Sequence, residues 1–237
     1  DTTPEGEQVN IYGNHVGSWN FAATAYLNRW KVKIYYEHYF DDHSQMFFQY
    51  GRWKDGHIGL EITFPKNRFI DTFVYEGLGT KDQTGPMLYD SFWGKFEEQI
   101  SAKDNYYNHY LYQGWQHWGM GIGNPLLPGP IYNKNGQITF ISNRVLAHHI
   151  GFCGSPCQSL SYRMLLSYSR HWGTYDNPLN EIKKQFNSLF EVTYAPQQLK
   201  GWSFTVSGAM DRGNLLGNNY GGMLVIRKQG IIKSGNK

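Results

Sequence analysis

The chain has 237 residues, 40% of them hydrophobic and 17% aromatic, with 18 Tyr, 14 Phe and 8 Trp. That length suits one large all-β domain, and a mean hydropathy of -0.57 with no long apolar run excludes a helical membrane protein, though not a β-barrel, whose strands average out in hydropathy. The net charge of +3 is mild and no Lys/Arg tract is present, so nucleic-acid binding has no support.

The first residues, Asp1-Thr-Thr-Pro-Glu-Gly-Glu7, are polar, and no signal peptide is read in them. An exported chain with its signal removed and a chain never exported both fit. Residues 9–64 read as a meander of strands. Trp19, Phe21, Ala23, Ala25 and Leu27 alternate with Ser18, Asn20, Ala22, Thr24 and Tyr26. After a turn at Asn28-Arg29 the alternation sharpens. Trp30, Val32, Ile34, Tyr36 and Phe40 share one parity; Lys31, Lys33, Tyr35, Glu37 and Tyr39 share the other. β-Branched and aromatic residues at period two predict a strand with one apolar and one polar face. Such a strand fits a soluble sheet, and it fits a membrane barrel with lipid on one side and an aqueous lumen on the other.

Polar turns follow at Asp41-Asp42-His-Ser44 and Lys54-Asp55-Gly56, then a strand in which Ile58, Leu60, Ile62 and Phe64 alternate with Gly59, Glu61 and Thr63. Another strand is predicted over residues 67–76. The rhythm then breaks, and residues 77–108 form a long loop or plug insertion, a length that is usually functional. An aromatic segment and a Gly/Pro-rich stretch come next. Strands resume at 137–152 and 159–172, where Tyr162, Met164, Leu166 and Tyr168 oppose Arg163, Leu165, Ser167 and Ser169. A polar connection is read over 173–187, followed by three strands and a reversal at Asp211-Arg-Gly-Asn214. In all, about ten to twelve runs of roughly 7–12 residues are expected, the span of tilted membrane strands. A β-sandwich with long strands fits the pattern nearly as well. No repeat or linker divides the chain, so residues 1–237 are read as one domain.

Several residue groups invite chemistry. Cys153-Gly-Ser-Pro-Cys157 looks like a tight turn pinned by a Cys153–Cys157 disulfide; no second Cys or His pair stands at zinc spacing. His148 and His149 face opposite sides of a strand and cannot share a metal. The turn at Asp41-Asp42 lacks the spacing of a calcium loop. Glu37, Glu61, Glu76, Glu191 and Asp211 fall on or beside strands, where two might serve a glycosidase or simply line an aqueous lumen. No nucleophile elbow, zinc-protease helix, P-loop or dinucleotide fingerprint occurs, and neither a metal nor a cofactor is expected. The best binding candidate is the segment from Asn105 to Trp118, where Tyr106, Tyr107, Trp115 and Trp118 offer ring faces to sugars and Asn, Gln and His offer hydrogen bonds. The same aromatics would also serve as a plug or girdle packed on a barrel wall.

The order of motifs resembles the Wzi-type capsule-assembly proteins of Bacteroidetes outer membranes. The stretches that carry it are Gly13-Asn-His-Val-Gly-Ser-Trp19, Tyr75-Glu-Gly-Leu-Gly-Thr-Lys-Asp-Gln-Thr-Gly85, Asp104-Asn-Tyr-Tyr-Asn-His109, Gly114-Trp, Gly121-Ile-Gly-Asn-Pro-Leu126, Asn143-Arg-Val-Leu-Ala-His-His149 and Gly173-Thr-Tyr-Asp176. The resemblance implies an antiparallel transmembrane β-barrel in the outer membrane of a Gram-negative bacterium, without catalytic residues, that holds or organises capsular or other surface polysaccharide. Family members are about twice as long, and the likeness covers their C-terminal half, so the chain is expected to form the C-terminal part of a longer barrel. On this expectation Tyr106, Tyr107, Trp115 and Trp118 stack on sugars, while Asn143, Arg144 and Arg163 are polar wall residues. Arg163 would face the lumen and meet an acidic sugar, Glu37 or Glu61. Expected partners are polysaccharide, outer-membrane lipid and other outer-membrane proteins. A soluble β-sandwich, either carbohydrate-binding or glycosidic, and a structural subunit of a larger envelope complex are the competing readings.

Overall fold

The computed structural model describes residues 17–40, 55–67, 69–83, 88–89, 100–101, 105–108 and 115–230. The turn at Asp41-Asp42 and His109 lie outside them, as does most of 84–104. The chain is all-β. Nine strands form one antiparallel sheet: β1 (Gly17–Leu27), β2 (Trp30–Phe40), β3 (Gly56–Thr63), β4 (Thr72–Gly79), β9 (Val145–Cys157), β10 (Leu160–Gly173), β11 (Pro178–Tyr194), β12 (Trp202–Gly213) and β13 (Asn219–Lys228). Two minor hairpins, β5 (Leu88–Tyr89) with β6 (Ile100–Ser101) and β7 (Gln116–His117) with β8 (Met120–Gly121), lie between β4 and β9. Sequential neighbours pair throughout, except that β4 pairs with β9 across this insertion. Among the described residues the sheet does not close, and β1 and β13 are its two edges.

Register turns the alternation into two continuous faces. Phe21, Tyr36 and Ile58 align across β1–β3; Tyr75, Ile150 and Leu166 across β4, β9 and β10; Val192, Val206 and Leu224 across β11–β13. This face is apolar and uncovered: Phe21, Ile34, Ile58, Ile150, Phe190, Val206 and Leu224 are 37% to 66% exposed. The opposite face carries Glu37 against His57, Glu76 against His149, and Asn187 against Asp211. It is this polar face that is roofed. Leu127 and Phe140, from the insertion between β4 and β9, pack on Leu78, Val145 and Ala147 of the sheet, with Tyr39, Tyr107 and Leu126 around them. Polar side chains on the same face are buried too, among them Ser169, His171, Gln185 and Ser207.

Several boundaries differ from expectation. Nine long strands are described rather than ten to twelve. Residues 137–144 are irregular, and the strand there starts at Val145. The polar stretch after Gly173 is mostly strand: β11 begins at Pro178 and pairs Lys183 with His171 and Lys184 with Arg170. Asn180 and Lys184 interrupt the apolar parity of Ile182 and Phe186 there, which hides the period-two signal. Asp211 lies within β12 opposite Asn187, and the reversal comes after Gly213. The cysteine turn is also displaced. Cys153 and Cys157 both belong to β9, four residues apart along the strand instead of across a turn. A disulfide needs Cα atoms within roughly 7 Å, and both thiols are free. The reversal falls at residues 158–159, with Cys157 opposite Leu160, while Ser155 and Pro156 form a bulge against β10 between the Gly154–Tyr162 and Cys157–Leu160 pairs. A bulge tolerates Pro156, which has no N–H to give to the ladder.

Candidate functional site

Between the polar face and its roof lies a cavity of about 600 Å³. The sheet contributes Glu37 from β2, His57 from β3, Glu76 from β4, His149 from β9 and Ser167 from β10. Strand alternation and hairpin register bring them together. Glu37 is directly opposite His57, Glu76 opposite His149, and His149 opposite Ser167. The His57 imidazole stands between two carboxylates, with Nδ1 3.5 Å from Glu37 Oε2 and Nε2 3.6 Å from Glu76 Oε1. Tyr35 OH donates to Glu76 Oε1. To reach it, the ring crosses Gly59, which pairs with both Tyr35 and Glu76; any Cβ at Gly59 would collide with that ring. His149 Nδ1 lies 2.5 Å from Ser167 Oγ. The roof contributes Tyr106, Tyr107, Asn124, Pro125, Leu126 and Leu127. One wall therefore offers hydrogen bonds and charge, and the other offers apolar and aromatic surface.

The roof is held by a buried polar layer. Asn143 is fully buried: its Nδ2 donates to Asn105 Oδ1 (2.5 Å) and to the Tyr106 carbonyl (2.7 Å), and its Oδ1 accepts from Gln83 Nε2 (2.5 Å). Thr80 Oγ1 donates to the Asn143 carbonyl at 2.7 Å and accepts the Val145 N–H at 2.9 Å. Asn108 makes a reciprocal pair with the Phe140 backbone, 2.8 Å in each direction. Asp55, just before β3, accepts the Tyr106 hydroxyl at 2.9 Å and the Asp82 N–H at 3.0 Å. Burial pushes the Asp55 carboxyl above its usual range, and these donors pull it part of the way back.

The expected sugar-contacting residues are thus dispersed. Tyr107 lines the cavity in a left-handed conformation with φ 67°, and its ring packs 5.0 Å from Phe140. Tyr106 borders the cavity but is 4% exposed, with its hydroxyl on Asp55. Asn143 is an internal anchor whose amide is committed to the roof, so it is not a wall residue open to sugar. Arg144 stacks on Tyr175, with its guanidinium 4.0 Å from the ring centroid, and its Nε donates to the Lys81 carbonyl at 3.1 Å. Trp115 and Trp118 flank the β7–β8 hairpin away from the cavity; Trp118 is 84% exposed at its tip. Arg163 does share the polar face, but it pairs with neither Glu37 nor Glu61. Its Nη2 lies 3.3 Å from Glu191 Oε1 on the adjacent strand, beside a second cavity of about 260 Å³ that also contains Cys153 and Asp71. Glu61 instead meets Lys31 at 3.5 Å.

The Glu37–His57–Glu76 group is what the sequence reading did not assemble. Both glutamates had the right parity, but His57 was one histidine among nine. The signal available was Gly59 inside a strand pattern, between Ile58 and Leu60, a position where an aromatic can lie across the strand. Among the described residues, no group of three or more His, Cys, Asp or Glu side chains has the geometry to hold a metal ion. No family model and no curated protein matches this chain.

Proposed function

We propose that the protein is an outer-membrane β-barrel, or the C-terminal part of a longer one, that helps attach or assemble capsular polysaccharide at the cell surface, in the manner of the Wzi-type proteins it resembles. The observation that carries the membrane reading is the reversed amphipathicity of the sheet. Its apolar face is bare across nine strands, while its polar face is roofed over β2–β4, β9 and β10. In water each exposed Ile, Leu or Phe forgoes about 1.5–3 kcal/mol of burial; lipid restores it. Edges β1 and β13 would each leave unpaired backbone groups in hydrocarbon, a cost of several kcal/mol per group. In a barrel these edges would be closed through further strands, because an even strand count needs at least one beyond the nine described. A soluble sandwich would place a second large sheet against the apolar face; the described residues provide only two-residue strands besides the nine.

The polysaccharide reading rests on the motif resemblance and on the two-sided cavity. Binding is favoured over hydrolysis because the His57 ring occupies the space between Glu37 and Glu76 where a glycosidic bond would have to sit. The test is made on cells. The protein should fractionate with outer membranes and require detergent for extraction, and its deletion should release capsule into the medium. Extraction by salt alone would overturn the barrel. An unchanged capsule on deletion would overturn the polysaccharide role and leave a structural subunit of an envelope complex, detectable as stoichiometric co-purification with other outer-membrane proteins.

A further inference from the structure

The cavity over β2–β4 has a charge bias that selects among sugars. Its described lining holds two carboxylates, Glu37 and Glu76, two imidazoles, His57 and His149, and no lysine or arginine. The nearest lysines on the same face of β2 are committed elsewhere: Lys31 to Glu61 at 3.5 Å, and Lys33 over the Tyr35 ring at 5.1 Å. Two carboxylates stand against two imidazoles that carry charge only when protonated, so the described lining is never net positive and offers an entering anion no permanent cation. The facing wall, with Tyr107, Pro125 and Leu126, is apolar. A pyranose ring presents C–H faces to such a wall and hydroxyls to carboxylates and imidazoles. The volume falls within the roughly 300–1,000 Å³ of ordinary small-ligand pockets.

We propose that this cavity binds a non-acidic glycosyl unit, neutral or amino-bearing, and rejects uronic acids and other anionic sugars. The proposal rests on the polysaccharide reading above and deepens it. Arg163, the polar-face arginine expected to meet an acidic sugar, is paired with Glu191 beside the other cavity.

The test uses the detergent-solubilised full chain and three probes: methyl glucoside, glucosamine and glucuronate, each followed by saturation-transfer NMR. The first two should bind and compete with one another, with glucuronate weaker by at least about tenfold, the scale of one unscreened like charge. The double variant Glu37→Gln, Glu76→Gln should recover glucuronate binding by a similar factor. Comparing the three sugars on the unaltered protein needs no variant, so a misfolded double variant leaves the test intact. Equal binding of glucuronate by the unaltered protein overturns the charge selection. Binding of none of the three overturns the cavity as a sugar site, while capsule release from deleted cells decides the parent reading separately.

Discussion

Tyr106 donates its hydroxyl to Asp55 at 2.9 Å, and this bond fastens the roof of the cavity to the turn that begins β3. Both groups are buried, so removing one costs the other a bond that water cannot easily replace. Tyr106→Phe should lower stability by about 1.5–3 kcal/mol, the range for a bond to a charged acceptor. Asp55→Ala, which also releases the Asp82 N–H, should cost more. The check is urea unfolding in detergent as a double-mutant cycle. Additive losses would show that the two side chains are not coupled.

Asp55 also predicts a pH dependence. Its carboxyl is held above the usual range by burial, so the folded state binds this proton more tightly than the unfolded chain does. The stability this contributes is complete below the unfolded pKa and is lost as pH rises through the folded one. Asp55→Asn removes that slope while keeping an acceptor for the Asp82 N–H. The variant should therefore gain on the parent protein as pH rises from about 3.9, the usual value for an aspartate, to neutrality. Unfolding midpoints at both ends of the range measure it, and parallel pH profiles would contradict it.

Gly59 governs the other end of the cluster. Tyr35 reaches Glu76 only because the intervening position has no side chain. Gly59→Val should displace the ring and destabilise the sheet by about 1–3 kcal/mol through overpacking. Tyr35→Phe removes the hydroxyl alone and should cost less. Were Gly59→Val neutral in urea unfolding, the ring would not be resting on that strand.

How far the sequence carried these features depended on range. Alternation at Trp30–Phe40 and Trp202–Gly213 identified strands and their faces, because the period of two is local. It could not say that the polar face, not the apolar one, would be roofed. That depends on where residues 115–144 fold back, and Leu127 meeting Leu78 is a contact between distant stretches. The cluster of Glu37, His57 and Glu76 needed the register of two hairpins, which a one-residue slip would destroy. Asn143 and Arg144 stand in a run that reads as polar wall, yet their partners Gln83, Asn105 and Tyr175 come from three separate segments.

The cysteines give a direct chemical test. Cys157 is exposed and Cys153 partly so, and strand geometry keeps them apart. Maleimide should modify both thiols in the folded protein, Cys157 faster, and the intact mass should show two adducts without prior reduction. A reductant should leave the unfolding midpoint unchanged. A species that resists labelling until reduced would restore the disulfide and require β9 to break at its bulge.

On the proposed polysaccharide role, Trp118 would set stability against function in one side chain. It and Gly119 both have positive φ, 53° and 78°, at the tip of the β7–β8 hairpin, as in a type I′ turn. The left-handed region costs an L-residue roughly 1–2 kcal/mol, least for Asn and nothing for Gly. A tryptophan is nevertheless held there, 84% exposed, where its ring gains little from packing. Strain of this kind is expected where a side chain must be displayed rather than buried. Trp118→Asn should therefore stabilise the hairpin by about 1 kcal/mol while lowering capsule retention, and Trp115→Ala added to it should lower retention further without loss of the folded protein. Thermal unfolding and capsule retention on cells, measured on the same variant, should move in opposite directions. Retention unchanged in a stabilised Trp118→Asn variant would remove the hairpin tip from polysaccharide binding and leave the cavity as the site.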